Sequence, residues 1–308
     1  MLGKAQILTP QLPLVLNVAA RTDSVSAECA GAIGKACSAA ARTGAIDWLA
    51  PGRCFEIPFE GDADAVRAGL RETLRDDWLV DANIVPAANR RKKLLIADMD
   101  STIVCCECID ELADQVGLKP KVAAITERAM RGELDFSSAL RERVALLKGL
   151  PLEALARVYA ERVRLNPGAR ALTATMRAHG AYTLLVSGGF TYFTQRVADD
   201  AGFESHQGNR LLDDGKALTG KVAEPILGRE AKLAALENSA ARLGLTVADA
   251  LAVGDGANDL DMIKRAGLGV AYHAKPVVAA EARASIVHGD LTSLLYLQGY
   301  RQDEIVRG

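Results

Sequence analysis

Leu94-Leu95-Ile96-Ala97-Asp98-Met99-Asp100-Ser101-Thr102 is a short apolar run that ends in two carboxylates and two hydroxyls. An apolar run of this length, bounded this abruptly, reads as a buried strand. Residues two apart in a continuing strand face the same side, but the pattern changes directly after Asp98, so the chain is expected to turn there. Asp98 and Asp100 then point at one ligand. Beside Ser101 and Thr102 they are hard oxygen donors, suited to Mg²⁺ with phosphate rather than to a softer metal. An ordinary Asp- and Ser-rich turn closing a strand fits this stretch equally well when it is read alone.

Three further stretches decide between these readings. Ser187-Gly188-Gly189 follows an apolar strand, Lys232 lies on a helical stretch, and Gly254-Asp255-Gly256-Ala257-Asn258-Asp259 follows another strand. Asp98-Met99-Asp100-Ser101-Thr102 fits a DxDx(T/V) pattern. Each motif is weak alone, but all four in this order are specific. On these residues the chain, over roughly residues 93 to 300, resembles the haloacid dehalogenase-like phosphatases, and among them the phosphoserine phosphatase group.

The resemblance implies a role for each position. Asp98 is the expected nucleophile, forming an aspartyl-phosphate that water then hydrolyses. Asp100 is the expected acid and base, protonating the leaving oxygen and then taking a proton from water. Mg²⁺ is expected on Asp98, Asp255 and the backbone carbonyl of Asp100. Asp259 is expected to orient that shell or Lys232. Gly254 and Gly256 are read as letting the backbone turn tightly around Asp255. Ser187 and Gly188 are expected to hold phosphate oxygens, and Lys232 to offset the charge of phosphate and carboxylate as they meet. In the family, the position of Glu107 binds the substrate's amino group and that of Arg143 its carboxylate, through two parallel hydrogen bonds. Phe136 and Met130 match an apolar wall over the substrate, and Asn258 a nearby hydrogen-bonding group.

Composition sets the frame. The 308 residues are long enough for two domains. With Lys+Arg 37 against Asp+Glu 39, the net charge of -2 gives no bulk attraction to nucleic acid or anionic membrane, and neither is an expected partner. The longest apolar runs are strand-sized, and the N-terminus lacks a charged region followed by a hydrophobic core, so a cytoplasmic location is expected. Six cysteines in a chain this large do not make a disulfide framework. Cys29, Cys37 and Cys54 read as reduced core residues, and Cys105-Cys106-Glu107-Cys108 has no answering pair at zinc-like spacing.

Taken in order, residues 12 to 18 read as a strand and residues 23 to 42 as a helix capped by Asp23 or Ser24. Strands at about 44 to 49 and 53 to 59 flank the Pro51-Gly52 turn. A helix from near Asp62 and a strand from Trp78 to Val85 complete a βαββαβ order, predicting a ferredoxin-like layer over residues 1–88. It resembles the small ACT domains that precede the catalytic part in some relatives. A module that only packs or pairs into a homodimer and one that binds an amino acid both fit. Residues 86 to 93, with four consecutive positive charges, read as a solvated linker. Residues 89–308 are expected to form the catalytic domain. Its helical insert, at about 105–166, is expected to cap the site, and alternating strands and helices imply a parallel, doubly wound α/β sheet with its crevice beyond the strands' carboxyl ends.

The resemblance therefore implies Mg²⁺-dependent hydrolysis of O-phospho-L-serine, the last step of a route to L-serine. Two rivals are carried forward. One is the same core acting on another small phosphate ester or moving phosphate to homoserine, and the other an amino-acid sensor with residual phosphatase activity.

Overall fold

The computed structural model describes residues 12–130 and 133–308, the Met130 side chain excepted. The chain divides into two units: the described residues up to Arg91 with Ile286–Ile305, and Lys92–Ser285 with Val306–Gly308. The sequence reading had kept 286–305 with the second part.

In the first unit, β1 (Leu14–Ala20), α1 (Ala27–Ala40), β2 (Ala41–Thr43), β3 (Asp47–Ala50), β4 (Cys54–Gly61), α2 (Ala63–Thr73) and β5 (Val80–Pro86) follow one another. The strands pair antiparallel in the order β2-β4-β1-β5, with β3 also on β4; β3 is the strand expected at about 44 to 49, and β2 lies just before that range, in residues expected to begin as the end of the helix. Helix α1 begins later than expected because Ser26, not Asp23 or Ser24, accepts from the backbone N–H of Cys29 at 3.1 Å. Leu16, Val18, Phe55, Ile57 and Phe59 bury one face of the sheet against Ile33 and Cys37 of α1 and Val66 and Leu70 of α2. The period-two alternation of strands puts Asn17, Ala19, Cys54 and Glu56 on the other face. That face is covered by the short helix Ser293–Leu297, whose Tyr296 packs on Ala19 and Cys54.

Burying Glu56 requires a partner, and Arg90 supplies it through a two-point ion pair, with one Nη1–Oε2 contact at 2.8 Å. Asn17 also donates to Glu56, at 2.9 Å, and to the Tyr296 carbonyl at 3.0 Å. Arg91 lies over the Tyr300 ring at 4.3 Å and pairs with Glu304. Lys92 is buried and donates to the Ala248 carbonyl at 2.8 Å. The basic stretch is thus less solvated than its charge suggested, with Arg91 and Lys93 exposed but Arg90 and Lys92 drawn in. Most of its cations are committed to neighbouring acceptors.

The second unit starts with β6 (Leu94–Ala97), all four residues fully buried as strands in a covered parallel sheet must be. Four helices follow where the all-helical pattern was read: α3 (Cys108–Asp114), α4 (Lys119–Met130), α5 (Phe136–Ala145) and α6 (Leu152–Arg162). Alternation then resumes with α7 (Ala169–Ala178), β7 (Tyr182–Phe190), α8 (Thr191–Ala201) and β8 (Ser205–Asn209). A separate antiparallel hairpin of β9 (Leu211–Asp213) and β10 (Leu218–Val222) comes next. The unit continues through α9 (Arg229–Arg242), β11 (Ala250–Gly254), α10 (Leu260–Arg265), β12 (Leu268–Tyr272), α11 (Pro276–Glu281) and β13 (Ala284–Ile286).

The six-stranded sheet runs β13-β12-β11-β6-β7-β8, with β12, β11, β6, β7 and β8 parallel along the ladder, as the doubly wound reading requires. The outer strands β8 and β13 were not foreseen. Ser-His-Gln-Gly-Asn of β8 carries no apolar alternation, because an edge strand has only one neighbour and need not be buried on both faces. Strand order reverses between β6 and β11. That is where a crevice opens at the strands' carboxyl ends.

Candidate active site

Asp98 still belongs to the sheet ladder, its N–H donating to the Val253 carbonyl at 3.0 Å. The chain then turns as expected. Asp100 is extended and Ser101 takes a left-handed conformation, φ 56°, before Val104 N–H closes the turn on the Met99 carbonyl. This reversal aims Asp98 and Asp100 into one cavity of about 530 Å³, which Glu107, Phe136, Arg143, Ser187, Gly188, Asp255 and Asn258 also line. Of the site residues proposed from sequence, Lys232 and Asp259 lie outside its lining, and the Met130 side chain lies outside the described residues.

Lys232 is buried behind Asp98 rather than open to the cavity. Its ammonium donates to Asp98 Oδ1 at 2.6 Å and to Asp259 Oδ1 at 2.5 Å. Burial alone would lower the Lys232 ammonium, but Asp259 and Asp98 raise it above its ordinary value and keep it charged. Burial raises the Asp98 carboxyl, Asp259 adds to the rise, and Lys232 opposes both. Burial, then Asp259, pushes Asp255 up to about 6. One lysine among this many acids leaves excess negative charge. Asp98, Asp255 and Asp259 each offer an oxygen, all within 4.8 Å of one another, so the donor set suits a hard cation.

Gly254 and Gly256 are needed for a different reason from the one the sequence suggested. Neither has a left-handed backbone. A Cβ on Gly254 would stand 2.4 Å from Asp259 Cγ, and one on Gly256 2.4 Å from Asn258 Oδ1. These glycines give room for side chains to fold back over the loop. Asp259 uses that room to accept from the Gly256 N–H at 3.1 Å while holding Lys232.

Both oxygens of Asp100 are held. Oδ1 accepts from the Cys108 N–H at 2.9 Å and Oδ2 from the Ser187 hydroxyl at 3.0 Å. Ser187 Oγ in turn accepts from the Gly189 N–H at 2.8 Å, so the hydroxyl read as a phosphate ligand is engaged with Asp100. A Cβ on Gly189 would come within 2.7 Å of Asp100 Oδ2, and one on Gly188 within 2.8 Å of the Phe136 ring. Buried Asn209 fixes this strand end, donating to the Gly188 and Leu227 carbonyls at 2.8 and 3.1 Å.

The helical insert contributes the other wall. Glu107 Oε1 accepts from the Ser101 hydroxyl at 2.7 Å. The residue is exposed toward the cavity, yet the surrounding protein and then Asp100 push its carboxyl up to about 7. Arg143 on α5 is half-buried, and burial draws its guanidinium down from the usual value. It donates to the Ala139 carbonyl at 3.3 Å and the Thr126 hydroxyl at 3.4 Å, with no carboxylate in ion-pair range among the described residues.

Residues 95–264 match the haloacid dehalogenase-like hydrolase family. The chain belongs to that family. The fold expected from the motif order is borne out. A phosphoserine phosphatase from Polaromonas sp. is 47% identical over 210 residues, spanning 67% of this chain and 89% of its own. An unliganded probable phosphoserine phosphatase from Vibrio cholerae superposes with a TM-score of 0.78 at 30% identity, over 97% of this chain and 90% of that one. A substrate-bound phosphoserine phosphatase complex gives 0.63 at 38% identity, over 67% and 97%.

In this haloacid dehalogenase-like hydrolase, sequence reasoning missed Thr126, Arg229 and Lys275, which also line the cavity. Lys275 had a readable signal, because it follows β12 at a strand's carboxyl end as the motif residues do. Arg229 had none, since only the fold brings it to Asp261, which it meets at 2.5 Å.

Proposed function

We propose that the chain is a Mg²⁺-dependent phosphoserine phosphatase, hydrolysing O-phospho-L-serine to L-serine and phosphate. The observation that carries this reading is one cavity with Asp98 and Asp100 at the sheet and, on the insert, Glu107 and an arginine with no carboxylate in ion-pair range among the described residues. A phosphate, an ammonium and a carboxylate each find a complementary group there. The named activity of relatives at 47% identity supports it.

Lys232 holds Asp98 Oδ1, so Oδ2 is the oxygen free to attack phosphorus. The O–P bond to serine breaks as the aspartyl-phosphate forms, and Asp100 gives its proton to the departing serine oxygen. Asp100 then takes a proton from the water that attacks the same phosphorus, which restores Asp98 and frees phosphate. The Cys108 N–H and the Ser187 hydroxyl keep the Asp100 carboxyl oriented through both steps. Asp98, Asp255 and the Asp100 carbonyl would hold Mg²⁺, with Asp259 committed to Lys232. Bound there, Mg²⁺ supplies positive charge against phosphate and carboxylate. Glu107 receives the ammonium and Arg143 the carboxylate, while Phe136 excludes water above the phosphate.

Phosphate release from L-phosphoserine and a panel of small phosphate esters, with and without Mg²⁺ and with Asp98→Asn as the blank, tests the reading. A Mg²⁺-dependent preference for L-phosphoserine, lost in the variant, is expected. Turnover of other esters with little of L-phosphoserine overturns the substrate. The same reading puts the enzyme in the cytoplasm and takes its N-terminal antiparallel layer as an ACT-like module that packs or pairs two copies. Light scattering in solution reads the latter.

A further inference from the structure

Arg143 offers five N–H donors in a fixed plane, and two are already used within the insert. Nε donates to the Ala139 carbonyl one turn back on its own helix, at 3.3 Å. That closes the Nε edge to a ligand. Nη1 donates to Thr126 Oγ1 of α4, at 3.4 Å, so the remaining donors are both N–H groups of Nη2 and one of Nη1. With the Nε edge taken, the Nη1–Nη2 end is the edge left for two-point binding of a carboxylate.

Thr126 is suited to set that orientation. Its single hydroxyl proton goes to the Val122 carbonyl at 3.1 Å, so toward Arg143 the oxygen can only accept. An arginine head has only donors, and this polarity is the one it needs. Thr126, Ala139 and Arg143 all line the same cavity. A threonine bonding back to its own helix is common and by itself says nothing of function. Here the same oxygen also reaches a half-buried arginine that has no carboxylate partner among the described residues.

We propose that Thr126 is a specificity-determining positioning residue, holding Arg143 with its Nη1–Nη2 end turned to the carboxylate of the substrate. This rests on the reading of Arg143 as the carboxylate receptor. An arginine side chain gives up much rotamer freedom on binding, and a neighbour that restricts it beforehand lowers that cost. Both contacts are long, so the head is guided and the effect is that of one modest hydrogen bond.

The test compares kcat/KM for L-phosphoserine with that for O-phosphoethanolamine, which has the phosphate and ammonium but no carboxylate. Wild type, Thr126→Ser, Thr126→Val, Thr126→Ala and Arg143→Ala are measured. We expect Thr126→Val to lower the ratio by about tenfold, through KM for L-phosphoserine, as loss of one hydrogen bond predicts. Thr126→Ser, which keeps the oxygen, restores the ratio, and Thr126→Val adds nothing once Arg143→Ala is present. A wild-type ratio in both Thr126→Val and Thr126→Ala overturns the inference, as does an equal loss on both substrates. If Arg143→Ala itself leaves the ratio unchanged, the carboxylate reading fails, and this inference with it.

Discussion

The Ser187 hydroxyl donates to Asp100 Oδ2 at 3.0 Å, joining the ends of the adjacent strands β7 and β6 across 87 residues of sequence. It leaves Asp100 little freedom to rotate between giving a proton and taking one. Ser187→Ala should therefore lower kcat by about tenfold, the cost of losing one hydrogen bond to a charged group. Steady-state kinetics on L-phosphoserine read it. A change in KM alone would assign Ser187 to phosphate binding instead.

Lys232 stands between two buried carboxylates. Lys232→Met leaves Asp98 and Asp259 facing each other without a counter-charge, and unpairing buried ions costs about 3–5 kcal/mol. Thermal unfolding should show a large fall in midpoint together with loss of turnover. Adding Asp98→Asn should recover part of the stability and none of the activity. No recovery would mean that the lysine acts through packing.

The raised acids make a pH prediction for the metal-free protein. Glu107 stands at about 7 against an ordinary 4.5, and Asp255 at about 6 against 3.8. An acid raised on folding binds more protons folded than unfolded, so its contribution is fully present below the ordinary value and is lost as pH rises through the folded one. With metal chelated, the melting temperature should fall as pH goes from about 5 to about 8, and Glu107→Gln should flatten the fall. Parallel slopes for wild type and Glu107→Gln would reject this account. In turnover the sign is opposite, because Glu107 must be ionised to receive an ammonium, and kcat/KM should rise through the same range.

Gly188 lies under the Phe136 ring with no space for a Cβ, which would approach to 2.8 Å. Gly188→Ala should displace the ring and raise KM by about tenfold, within the cost of overpacking. In the Phe136→Ala background the same substitution should cost almost nothing. A full additive loss would place the role of Gly188 in its backbone.

Central parts of the fold were legible because covered parallel strands must be apolar on both faces, as Leu94–Ala97 and Ala250–Gly254 are. The edges were not, since β8 is a polar pentapeptide held only by β7. The burial of Arg90 and Lys92 in the basic stretch was not legible for a related reason. A run of cations looks solvated until a buried Glu56, distant in sequence, is found against Arg90. At the site, nine of the proposed residues line one cavity, whereas the placement of Lys232 behind Asp98 was beyond sequence reasoning.

The sequence by itself determined which chemistry the chain holds: acids after buried strands, glycines around them, and an arginine and glutamate on an inserted helical run. These follow from nearest neighbours and short periods, which local sterics and burial enforce. Only the tertiary structure decided which oxygen of Asp98 Lys232 holds, that Gly254 serves Asp259 by leaving it space, and that Arg143 has its Nε on the Ala139 carbonyl. Those outcomes depend on atoms brought within about 3 Å, the range of a hydrogen bond, from positions far apart in the chain. The packing of helices on the sheet sets such distances, and no local pattern encodes them.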